Sequence, residues 1–120
     1  MGEDADWTER AIRVLAALDA AQSVAKDEQR SAVKDALAVL VAKAPGRSVE
    51  VRVPPFAAVQ VVEGATHRRG TPPAVVEMDT ATWLALALGR LDWVDATRTG
   101  RVRASGARSD LSGLLPLIGE

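Results

Sequence analysis

Apolar positions in the first 44 residues recur at helical spacing. Trp7, Ala11, Val14, Leu15, Leu18 and Ala21 share one face of a helix predicted over residues 7–23, and Glu9, Arg10, Arg13 and Asp19 fall mostly elsewhere. A second helix is predicted over residues 27–43, with Val33, Leu37, Leu40, Val41 and Ala44 as its buried stripe. Asp27 is placed to cap it, because a carboxylate there accepts from free first-turn amides. Lys43 suits the negative end of the helix dipole, and Pro45-Gly46 stops the helix. The short link between the two predicts antiparallel packing.

The period then changes to two. Val49, Val51 and Val53 alternate with Glu50 and Arg52, the pattern of a half-exposed strand, and Pro54-Pro55 ends it. Residues 56–62 are more evenly apolar and predict a second, more central strand. A polar loop over 63–73 contains Gly64, Gly70 and Pro72-Pro73, and residues 74–78 form a third strand. Asp79 or Thr80 then caps a helix running to Leu88, with Gly89 as its stop. A short turn or helix covers 92–97. A fourth strand covers 101–105, with Val102 and Ala104 facing inward and Arg101 and Arg103 sharing the outer face. Ser109 or Asp110 caps a short final helix carrying Leu111, Leu114 and Leu115. The three consecutive strands predict an antiparallel meander, with helices over one face.

Length and composition narrow the function classes. The 120 residues fit one domain, read as a helical pair over 7–44 and a core over 48–120. Cysteine is absent, which excludes disulfides and thiolate chemistry and fits a cytoplasmic location. The acidic start, Glu3-Asp4-Ala5-Asp6, is unlike the basic start of a signal peptide, and no apolar run approaches a membrane span. Stable membrane insertion is therefore not expected. A net charge of −1, with one Phe and no Tyr, gives neither the basic face nor the stacking rings that nucleic-acid binding uses.

The second half of the chain carries a resemblance. The run Val75-Val76-Glu77-Met78-Asp79, then Thr82-Trp83-Leu84-Ala85-Leu86-Ala87-Leu88-Gly89, is followed by a Gly100-led strand, Gly106 and Asp110-Leu111. This order, and the spacing of Gly89, Gly100 and Gly106, resembles the sterol-carrier-protein-like family. The phrases Val51-Arg52-Val53-Pro54-Pro55 and Ala104-Ser105-Gly106-Ala107-Arg108-Ser109-Asp110-Leu111 are similar to its short stand-alone actinobacterial version. The resemblance implies an α+β fold, with an antiparallel or mixed sheet of about four to five strands covered on one face by helices. Here the N-terminal helical pair is an addition. The family includes carriers of fatty-acyl chains and sterols and domains appended to enzymes, so fold alone does not choose the function.

Two candidate sites follow. Phe56, Val59, Val61, Met78, Trp83, Leu84, Ala87, Leu88, Leu91, Trp93 and Leu114 are suited to line an apolar cavity for a lipid-like small molecule. The competing assignment is that the same residues pack the core. His67, Arg68 and Arg69, flanked by Gly64 and Gly70, form an anion-binding candidate with Arg108, against the plainer role of a solvated loop. No catalytic residue is assigned: His67 has no matched partner in the sequence, and Asp79 and Asp110 read as caps. No cofactor or metal is expected. The alternative to a carrier is an interaction module with a filled core, dimerising through its N-terminal helices, or an accessory domain of an enzyme.

Overall fold

The computed structural model describes residues 2–64, 74–106 and 108–118. Helix α1 spans Gly2–Asp19 and α2 spans Lys26–Lys43. Trp7, Ala11, Val14 and Leu15 of α1 are buried, as are Val33, Leu37 and Leu40 of α2. The two helices run antiparallel, cross-linked by Arg10–Asp35 and by Arg13–Glu28 at 2.9 Å. Two expectations change. Ala21 lies beyond the end of α1 with φ 57, exposed rather than on the stripe. Asp27 is inside the first turn of α2 rather than its cap; Ala25 holds the cap position, and Asp27 pairs with Arg30 at 2.7 Å. An acid inside the first turn still favours the helix dipole.

Strands β1 (Val49–Val53), β2 (Ala57–Val61), β3 (Ala74–Met78) and β4 (Val102–Ser105) form one sheet in the order β2-β1-β3-β4. β1 pairs antiparallel with β2 but parallel with β3, so the three consecutive strands do not form a meander. β3 and β4 are antiparallel. The expected central strand, β2, is an edge, and the alternating β1 is central. The reason is that only one face of the sheet is covered. A central strand in such a sheet alternates, and even apolarity marks centrality only where both faces are buried.

The covered face presents Val49, Val51, Val53, Val61, Ala74, Val76, Met78 and Val102 to the helices, and these residues join the helical stripes in one core cluster. The opposite face carries Glu50, Arg52, Glu77 and Arg103, linked by Arg52–Glu50 (3.3 Å), Arg52–Glu77 (4.0 Å) and Arg103–Glu77 (3.1 Å). Ala104 has the parity of Val102 but is exposed, because β4 is an edge that the helices do not fully cover. Arg101 lies just before β4 and turns to α3 instead of sharing the outer face with Arg103.

Helix α3 (Thr80–Ala87) closes the core. Asp79 caps it, accepting a hydrogen bond from the Thr82 backbone N–H at 2.9 Å. Seven of its eight residues are buried, so it is nearly apolar all round, as suits a helix enclosed between elements. Trp83 is fully buried, and its indole N–H donates to the Val33 carbonyl of α2 at 3.4 Å. Gly89 follows the cap with φ 78, a conformation glycine adopts without steric cost. Helix α4 covers Trp93–Arg98.

The final helix is reduced to a 3-10 turn at Ser112–Leu114. Asp110 accepts from the Ser112 backbone N–H at 2.9 Å, an Asx turn rather than an α-helical cap. The segment after it is tied down from two sides. Lys43 Nζ donates to the carbonyls of Leu114 (2.8 Å) and Pro116 (3.4 Å), and the Leu117 N–H donates to the Ala87 carbonyl (2.9 Å).

Candidate functional site

The end of α2, the start of the 63–73 connection and the segment around the 3-10 turn meet at a surface cleft of about 570 Å³. The local sequence dictates its shape. Pro45 and Gly46 turn the chain sharply out of α2, and a side chain on Gly46 would collide with the Val62 backbone at 2.1 Å. That close approach brings Val62 against Ala44, whose carbonyl accepts from the Val62 N–H at 2.7 Å. Ala44, Pro45, Val62 and Leu114 supply apolar wall, and Lys43, Glu63, Arg108 and Asp110 supply charge.

The charged residues are held in place. Lys43 is fixed by the carbonyls of Leu114 and Pro116. Arg108 has φ 69 and donates to the Glu63 carbonyl at 3.4 Å. Both cations therefore bond to main-chain oxygens and make no ion pair with a carboxylate among the described residues. The Ser112 backbone N–H, aided by the Ser112 hydroxyl, holds the Asp110 carboxyl below its ordinary pKa of 3.8. The cleft thus sets two cations and two carboxylates beside an apolar wall.

The residues expected to line one cavity are distributed. Val61, Met78, Trp83, Leu84, Ala87, Leu88 and Trp93 are buried in the core cluster, and Phe56, Val59, Leu91 and Leu114 are half-buried against it. Phe56 also lies under the Arg30 guanidinium, 5.7 Å from ring centroid to charge. Leu114 alone of the eleven borders the 570 Å³ cleft. Leu91 and Trp93 border a cleft of about 150 Å³ beside α4, and Met78 one of about 310 Å³ at the start of α3. Of the anion-binding set, Arg108 is at the main cleft, and His67, Arg68 and Arg69 lie outside the described residues.

Sequence reasoning missed Lys43 and Val62 as site residues. Lys43 reads as an ordinary helix-end lysine, and only its tertiary contact 71 residues downstream gives it another role. Val62 has φ 70, a backbone state that no β-branched residue advertises. Among the described residues no group of His, Cys, Asp or Glu is arranged to hold a metal ion, and no helix is long and apolar enough to cross a membrane.

No curated protein matches the chain significantly. A family model described as bacterial SCP ortholog matches residues 25–117, from the start of α2 through β4 to the segment held by Lys43. With its mixed sheet, its capped α3 and that match over most of its length, the chain belongs to the bacterial SCP ortholog family of sterol-carrier-protein-like domains.

Proposed function

We propose that this protein is a non-catalytic sterol-carrier-like domain that binds an amphipathic small molecule of the fatty-acyl or sterol-like class. The observation that carries the reading is the 570 Å³ cleft, which joins the apolar side chains of Ala44, Pro45, Val62 and Leu114 to Lys43 and Arg108. Its volume is within the range of small-molecule sites, about 300–1,000 Å³. Glu63 and Asp110 on the same rim balance the two cations, so the ligand is held by apolar area and local hydrogen bonds more than by net charge.

Titrating the isotope-labelled protein with a medium-chain fatty acid tests it. Saturable amide shifts at Val62, Gly113 and Lys43, weakened by Arg108→Gln, are expected. Shifts scattered over the surface without saturation would remove the carrier reading.

The alternative reading is an interaction module with a filled core. It draws on the complete burial of Trp83, Leu84 and Leu86 of α3 and of Leu37 of α2. A homodimer in this reading uses the outward faces of α1 and α2, because their apolar stripes are spent inside the protomer. Sedimentation over a wide concentration range separates the two: mass that stays monomeric removes the dimer.

A further inference from the structure

The cleft of about 310 Å³ at the start of α3 has a different chemistry and shares no lining residue with the one above. Its central feature is Arg101. The Arg101 Nε–H donates to the Thr82 hydroxyl at 3.2 Å, which sets the guanidinium plane against α3. The two terminal amino groups of that guanidinium have no hydrogen bond or ion pair among the described residues. They form a planar fork, held in place from behind and open in front. Gly100, the residue before it in the chain, has φ 81 and nothing within 4 Å of where a Cβ would stand.

The other charges at the cleft are already committed. Arg103 is paired with Glu77 at 3.1 Å, and Glu77 also faces Arg52. Asp79 uses one oxygen to cap α3 and so already occupies the positive end of that helix. What remains is one cationic fork beside one capping carboxylate. Asp79 repels any anion placed on Arg101, and a dianionic phosphate about twice as strongly as a monoanion, so a single negative charge suits the cleft better. A carboxylate also matches the guanidinium geometry, since both groups are planar and bond through two parallel N–H···O contacts. Pro54 and Met78 line the same cleft and offer apolar contact to the carbon part of such a molecule.

We propose that this cleft is a second binding site, taking a small molecule that bears a single carboxylate, with Arg101 as the residue that holds it. The test titrates isotope-labelled full-length protein with propionate at constant ionic strength and reads the Arg101 Nε–Hε, Thr82 and Gly100 signals. Saturable shifts confined to these positions are expected. Arg101→Lys keeps the charge but loses the fork and should weaken binding about tenfold, the equivalent of one charge-assisted hydrogen bond. Arg101→Gln should abolish the shifts, with spectral dispersion confirming that the variant is folded. Arg108→Gln, at the other cleft, should leave them unchanged. Inorganic phosphate at the same ionic strength should bind more weakly than propionate. Equal shifts in Arg101→Gln, an equal response to chloride, tighter binding of phosphate, or no saturation would each overturn the proposal.

Discussion

The indole of Trp83 fills the middle of the core and makes one directed contact, its N–H on the Val33 carbonyl, so it fixes α3 against α2 as well as excluding water. Trp83→Phe removes that donor and leaves unfilled volume. It should lower stability by about 1–3 kcal/mol in urea denaturation followed by far-UV circular dichroism. Asp110 is the residue whose titration reports on local structure. Its folded pKa is depressed by the Ser112 N–H and hydroxyl. The stabilisation from that turn is therefore present above the unfolded-state pKa and lost as pH falls through the folded value. Carboxyl NMR titration should place the Asp110 midpoint below 3.8, and Asp110→Asn should remove this part of the acid limb. A midpoint at or above the ordinary value would mean the turn does not persist in solution.

At the scale of elements, α1, α2 and β1 were legible from their periods, and the other strands and α3 from short apolar runs bounded by Pro, Gly or a capping residue. Asp79 and Gly89 bracket an apolar run, and the structure uses both as the pattern implies. What the pattern did not hold was which strand lies next to which. Strand neighbours are set by long-range pairing, and a period of two is the same for parallel and antiparallel partners. The candidate cavity residues could not be sorted by pattern for a related reason. Trp83, Leu84 and Leu88 look alike as wall or as filling, and only the packing tells them apart. Ala104 shows how position in the sheet decides burial: it has inward parity but lies on an uncovered edge. Ala104→Glu should therefore change stability by no more than about 0.5 kcal/mol, whereas the inward placement predicted from parity would make it severe. Thermal denaturation of the variant distinguishes the two.

For the molecule as a whole, residues 114–117 are bound to the body by hydrogen bonds from distant parts of the chain. Lys43 holds Leu114 and Pro116, and the Ala87 carbonyl holds Leu117. Lys43→Met keeps much of the apolar stem and removes the donor. Hydrogen exchange at the Leu117 amide should quicken in that variant while core amides such as Leu37 stay protected. Equal acceleration at both would mean that the segment opens only with the whole fold. The parallel pairing of β1 with β3 has a consequence in time rather than in space. α1 with α2, and β1 with β2, are neighbours in sequence, so their contacts close short loops. Val49 meets Ala74 only after 25 positions of chain have been drawn together, and β4 has no partner until β3 is in place. The entropy of that one closure falls before any contact rewards it. The topology therefore predicts an order for the sheet: two local hairpins of different kinds form first, the third strand joins the first later, and β4 pairs last.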